Sequence, residues 1–181
     1  MEIRYRRDLW KLFGDVSECV AVELGVAEGL HSRDMCEQGY KLVISVDAWE
    51  TRNQKGDGGS PQSWHDSNYK NACDLLRPFG GHSKILRGPT TAMAQYVPDE
   101  SVDLVYIDAD HSYEGVKNDI EAWWPKLKKH TGVMAFHDYE MPQYGVKQAV
   151  QEFASRMILK VRTLPEDAIK DAGAYILKWD A

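Results

Sequence analysis

Apolar positions along the chain fall into short β-branched runs separated by longer stretches with helical spacing. Val20–Leu24, Leu42–Val46, Ile85–Leu86, Val102–Ile107 and Gly132–Phe136 have the continuous apolar character of strands buried on both faces of a parallel sheet. Between them, His31–Gln38 reads as a helix closed by Gly39, and Trp64–Leu76 as one that stops near Pro78. Thr90–Tyr96 is a short helix. Val116, Ile120, Trp123, Trp124 and Leu127 recur at helical spacing, with Pro125 shortening or kinking that helix. Val146–Met157 is the next helix. Ile158–Leu164 and Ala174–Trp179 are two further strands whose short link cannot hold a helical crossover, so they run antiparallel. Strand and helix therefore alternate until a closing hairpin. The expected fold is α/β: a doubly wound seven-stranded sheet, parallel except for its last strand. One domain spans 1–181, with 1–18 as a helical cap in which Ile3–Phe13 is a partly amphipathic helix. Thr51–Ser63, polar and rich in glycine, is the principal loop.

Composition narrows the functional classes. A hydrophobic fraction of 43% supports a real core, and the formal net charge of -6 disfavours nucleic acid or an anionic membrane as partner. Arg4, Arg6 and Arg7 form a small basic patch that reads as a solvated helix face. Cys19, Cys36 and Cys73 contain no CxxC pair, which removes a thiolate zinc site or a redox dithiol and suits a reducing compartment. The stretch MEIRYRRDLWKLFGDV has no apolar signal core, and no run has the length of a membrane span. A cytoplasmic protein is expected.

The candidate chemistry lies at strand ends. Val102–Asp110, VDLVYIDAD, finishes an apolar strand in two carboxylates with His111 directly behind. GVMAFHD repeats the pattern, ending in His137 and Asp138. Ligands of open α/β sheets bind at the carboxyl ends of the strands. Acids and imidazoles on two neighbouring strand ends suit a metal ion, or an acid and a base. The first strand carries a second signal, E-x-G-x-A-x-G, from Glu23 through Gly25 and Ala27 to Gly29. Small residues there let backbone approach a ligand and let the helix pack near the strand. Asp47 ends the following strand, where an acid holds ribose hydroxyls. The spacing departs from the G-x-G-x-x-G of NAD-binding proteins.

The E-L-G-V-A-E-G turn, Asp47 and the D-A-D-H and H-D strand ends resemble class I S-adenosylmethionine-dependent methyltransferases, which have a Rossmann-like fold. The stretch DLVYIDADHSYEGVKNDIEAWWPKLKKHTGVMAFHDY is similar to small bacterial methyltransferases of the methyltransferase-24 type. It also resembles metal-dependent O-methyltransferases acting on catechols, caffeoyl-CoA, and macrolide or aminocoumarin sugars. The resemblance implies that Glu23, Gly25 and Gly29 line the methionine and ribose part of the cofactor, with Asp47 on the ribose. It places Ala48 and Trp49 against adenine, Gly88 and Thr90 near the adenine edge, and Asp108 by the cofactor as first metal aspartate. His137 and Asp138 match the family's second metal pair. His111 stands where the catechol and caffeoyl-CoA enzymes have a lysine base. Tyr113 and Glu114 resemble a Tyr-Glu pair of the sugar enzymes, shifted by one residue.

These matches imply S-adenosylmethionine as cofactor and Mg²⁺ or another divalent metal at Asp108, His137 and Asp138. An imidazole in that set extends the range towards Fe²⁺, Co²⁺ or Zn²⁺. Asp108 and His111 are the expected catalytic residues, His111 as general base. The expected reaction is O-methylation of a small-molecule or sugar hydroxyl. The family places substrate groups on Tyr5–Phe13, Thr51–His65 and Tyr139–Tyr144. Partners are a small-molecule or saccharide acceptor and a possible second copy of the chain, with neither nucleic acid nor membrane. The alternatives are a hydroxylase-like relative of the same fold and a non-catalytic cofactor-binding or interaction module.

Overall fold

A computed structural model describes residues 3–51, 60–164 and 173–180. Seven strands form one sheet: β1 (Val20–Leu24), β2 (Leu42–Asp47), β3 (Ser83–Arg87), β4 (Leu104–Ile107), β5 (Val133–Phe136), β6 (Val161–Thr163) and β7 (Ala174–Leu177). Their order is β3-β2-β1-β4-β5-β7-β6. Every neighbouring pair is parallel except those made by β7, which runs antiparallel to both β5 and β6. The expected doubly wound sheet is thus the observed one. Its final strand is inserted between the fifth and sixth rather than added at the edge.

Alternation along the strands sorts side chains between two cores. Val22, Leu24, Ile44, Val46, Val105, Ile107, Met134 and Phe136 face one layer. That layer is built from α3 (Thr90–Met93), α4 (Tyr113–Trp123) and α5 (Val146–Met157). Ala21, Val43, Leu104, Tyr106, Val133 and Ala135 face the other, where α1 (Leu30–Glu37), α2 (Gln62–Leu76) and the N-terminal segment contribute Met35, Leu76 and Leu9. Two-sided cover explains why these strands carry apolar residues at successive positions. The Trp123 and Trp124 pair is packing: Trp123 is fully buried and donates its indole N–H to the Thr90 carbonyl at 3.1 Å, and Trp124 meets Phe153 edge to face.

Several elements differ from the sequence expectation in extent or type. The N-terminal helix is a 3-10 helix over Arg6–Leu12, in which Leu9 is buried while Ile3, Trp10, Leu12 and Phe13 pack against the same core. Pro125 ends α4 as expected, in a 3-10 turn over Trp124–Lys126. Ile158 does not open β6. It closes α5 in the left-handed region at φ 57, with its N–H on the last carbonyls of the helix, so β6 is confined to three residues. Of the Thr51–Ser63 loop, residues 52–59 lie outside the described residues, as do 165–172 between β6 and β7. Among the described residues no helix is long and apolar enough to cross a membrane.

Strand order reverses between β1 and β4, each with its own neighbours on the far side. That reversal opens a crevice at the carboxyl ends of the strands. Thr90, at the start of α3 on the wall of that crevice, is held by Asp119 and Trp123 of α4. Replacing Trp123 by Ala removes the largest side chain of that contact and leaves the Thr90 carbonyl without its donor. We expect a loss of about 3–5 kcal/mol of stability, read as a fall of roughly 10 °C in the melting temperature.

Candidate active site

The pairing register brings the strand ends into line. Leu24 lies opposite Val46 on one side and Ile107 on the other, and Ile107 lies opposite Phe136. The next residues are Gly25, Asp47, Asp108 and His137, so four residues far apart in sequence stand in one row across β2, β1, β4 and β5. With strands about 4.8 Å apart, the row spans about 14 Å.

Gly25 allows the row to close. Its φ of +84 is left-handed, and an added Cβ would collide with the Asp108 carbonyl. Asp47 holds the same turn from the other side: Oδ2 accepts the Val26 and Ala27 N–H groups at 2.9 and 3.0 Å, and Oδ1 accepts that of Trp49 at 2.7 Å. A carboxylate offers about four acceptor positions, so about one is left for a ligand. Trp49 is buried with Val26 and Ala72, and its indole donates to the Ala27 carbonyl at 2.9 Å. Ala27, Trp49 and Asp138 stand at φ 47, 46 and 53, in the left-handed region. Such strain costs of order 1–2 kcal/mol per residue and collects at functional sites.

Behind the turn lies a buried polar group. Glu23 is paired in register with Ser45 on β2 and Tyr106 on β4. Its carboxylate accepts a hydrogen bond from Ser32, whose hydroxyl also meets Ser45 at 2.6 Å. His31 Nδ1 lies 3.3 Å from the same carboxylate, and the ring packs on Tyr106. A buried acid is tolerable because it is tied to hydroxyls and an imidazole.

A cavity of about 540 Å³ opens above these residues. Of the positions expected at the cofactor, Glu23, Gly25, Asp47, Ala48, Trp49, Thr90 and Asp108 line it. Gly29 and Gly88 do not. Gly29 instead lets α2 approach α1, since a Cβ there would stand 3.1 Å from the Ala72 Cα. Thr90 is also tied down, its hydroxyl donating to the buried Asp119 at 2.5 Å. Arg6, Trp64 and His65, from two of the segments expected to carry substrate groups, complete the wall with Leu30 and Asn68, which the sequence did not single out. The Asn68 amide nitrogen is buried without a hydrogen-bond partner among the described residues. Trp64, His65 and Asn68 lie on α2, Leu30 opens α1 and Arg6 opens the N-terminal 3-10 helix, and no linear motif brings these three elements together.

At one end of the cavity the two expected acid–imidazole strand ends converge. His111 Nε2 is 3.3 Å from Asp108 and 3.5 Å from Asp138, while His137 Nδ1 is 3.4 Å from Asp108 and 3.1 Å from Asp138. His111 is stacked on Tyr144 at 4.7 Å. One donor atom each from Asp108, His111 and His137 lies within 4.8 Å of the others, a spread that fits a single divalent ion. His111 therefore joins the set that the sequence confined to Asp108, His137 and Asp138. Tyr113 turns away, its hydroxyl donating to Glu152 on α5 at 2.7 Å.

Comparison with known proteins shows the family and the fold. Residues 22–139 match the model of the methyltransferase-24 family, described as a methyltransferase domain. An uncharacterized protein, y4gI, from Sinorhizobium fredii is 33% identical over 102 residues, which is 56% of this chain and 10% of that protein. This chain thus spans about a tenth of the length of that relative. Among solved structures, cofactor-bound Rv0187 from MTB superposes with a TM-score of 0.72 at 14% identity, covering 100% of this chain and 83% of that one. The calicheamicin methyltransferase CalS11 superposes with a TM-score of 0.65 at 20% identity, covering 96% of this chain and 80% of that one. These likenesses carry the fold, and the family match covers the row of strand ends from Glu23 to Asp138. The chain belongs to the methyltransferase-24 family of class I S-adenosylmethionine-dependent methyltransferases.

Proposed function

We propose that the protein transfers the methyl group of S-adenosylmethionine to a hydroxyl of a small molecule or sugar. The observation that carries this reading is the convergence of Asp108, His111, His137 and Asp138 beside the glycine turn. A hydroxyl is a poor nucleophile at neutral pH and must lose its proton for displacement at a sulfonium methyl group. The cluster supplies acceptors for that proton next to the cavity. Gly25 and the Asp108–Ala109 backbone form the narrow floor on which the methionine part lies, and the remaining acceptor of Asp47 takes a ribose hydroxyl. Ala48 and Trp49 line the adenine side. A sugar acceptor is supported by the likeness to CalS11, described as a TDP-rhamnose 3'-O-methyltransferase, and a phenolic acceptor is the second candidate.

Asp108, His111 and His137 are the residues that would hold a divalent ion, with Asp138 orienting both imidazoles. The bound ion would supply Lewis acidity, lowering the pKa of the acceptor hydroxyl. A mixed carboxylate–imidazole set favours Mn²⁺, Fe²⁺, Co²⁺ or Zn²⁺ over Mg²⁺. A second reading has His111 as general base, favoured by the two carboxylates that flank its Nε2 and stabilise an imidazolium.

Calorimetry with S-adenosylhomocysteine, alone and with Mg²⁺, Mn²⁺ or Zn²⁺, tests the assignment. We expect binding without metal and a separate metal isotherm that vanishes in Asp108→Asn. Failure of S-adenosylhomocysteine to bind under every condition leaves the non-catalytic module as the better description. Once an acceptor is in hand, His111→Ala should lower turnover about 100- to 10,000-fold with cofactor affinity intact. Loss of metal binding in the same variant identifies His111 as a ligand, and retention identifies it as the base. Undiminished turnover excludes both roles.

A further inference from the structure

We infer that Arg6 binds the carboxylate at the amino-acid end of the cofactor, making the N-terminal segment part of the cofactor site. This inference rests on the S-adenosylmethionine reading above. The cofactor carries a sulfonium, an ammonium and a carboxylate. Six carboxylates, Glu23, Glu28, Asp47, Glu50, Asp108 and Asp110, line the cavity among the described residues. Such a wall attracts the two cationic groups and repels the anionic one. Recognition of the whole zwitterion therefore needs a cation on the same wall.

The basic groups there are Arg6, His31 and His65. A guanidinium is charged throughout the physiological pH range, and its planar fork matches a carboxylate bidentately. Arg6 shares the wall with Leu30 and His31, the first two residues of α1. The N–H groups of that first helical turn have no acceptor within the helix, and the positive end of the helix dipole adds to the preference for an anion.

Packing explains why Arg6 is the arginine of the N-terminal patch that reaches the cavity. Three residues per turn put Arg6, Leu9 and Leu12 on one side of the 3-10 helix. Leu9 is 1% exposed and anchors that side in the core. Gln38 at the end of α1 donates to the Arg7 carbonyl at 3.3 Å, which fixes the register of the segment. Arg7 itself is exposed, with its guanidinium over the Tyr5 ring at 5.6 Å.

The test compares S-adenosylmethionine with decarboxylated S-adenosylmethionine, which lacks only the carboxylate, by titration calorimetry on the full chain. Wild type should bind the carboxylated form about 10- to 100-fold more tightly, the range of a charge-assisted hydrogen bond. In Arg6→Gln that preference should vanish or invert, because the acidic wall remains. Arg7→Gln should keep it, and Arg6→Lys should keep part of it. Equal affinity of wild type for the two ligands overturns the inference. So does a preference that survives in Arg6→Gln, or an Arg6→Gln variant that weakens both ligands equally. Should Arg6→Gln fail to fold, the wild-type preference and its partial retention in Arg6→Lys decide the matter. Failure of wild type to bind either ligand overturns the cofactor reading itself, and with it this assignment.

Discussion

The contact between Gly25 and the Asp108 backbone is the constraint on which the site depends. β1 and β4 end side by side, and the chain leaving β1 must turn within van der Waals distance of the Asp108 carbonyl. A side chain at position 25 would force the two strand ends apart. The cavity floor and the acid–imidazole cluster would then separate, because Asp108 belongs to both. The turn is not held by glycine alone. Asp47 accepts its N–H groups, and the Trp49 indole takes the Ala27 carbonyl. Much of the hydrogen-bonding capacity of these residues is spent on shaping the turn. What they offer a ligand is a pre-formed surface more than a set of free groups, and preorganisation of that kind reduces the ordering cost of binding.

The site has two electrostatic characters in one crevice. Towards α1 and the N-terminal segment, the buried Glu23 is surrounded by Ser32, Ser45 and His31, which stabilise it in place. Towards α4 and β5, Asp108 and Asp138 each face both His111 and His137 at 3.1 to 3.5 Å. The first arrangement suits binding of a cationic ligand end. The second suits movement of a proton or coordination of an ion, because imidazole nitrogens exchange protons and are metal ligands. The division is in keeping with the proposed reaction, in which one substrate is a sulfonium and the other loses a proton.

Much of the architecture was legible in the chain because its signals are local. β-branched runs such as Val20–Leu24 and Val133–Phe136 have the composition of two-sided burial, and α5 follows from an apolar period that has its expected bounds. Pro125 marks the end of α4 through ring geometry. The N-terminal helix was less legible. Its type depends on how Leu9 and Leu12 dock on the sheet, and docking is not encoded in the period of a short segment. The position of β7 between β5 and β6 was hidden too, since a hairpin link specifies antiparallel pairing but not which member of the pair lies inside.

The candidate site divides in the same way. The sequence by itself determined the strand ends and their chemical types: Glu23 and Gly25, Asp47, Asp108 with His111, and His137 with Asp138. Each follows an apolar run within a few residues. Only the tertiary structure decided their alignment, because one register step would reverse the face and shift the end of a whole strand. It decided also that His111 stands among the metal-type donors, that Gly29 and Gly88 serve packing or turns off the cavity wall, and that Arg6, Trp64 and Asn68 join that wall. Trp64 and Asn68 stand one turn apart on α2, and Arg6 comes from the N-terminal 3-10 helix. Their meeting is fixed by how helices cover the two faces of the sheet, a property of packing that no linear pattern records.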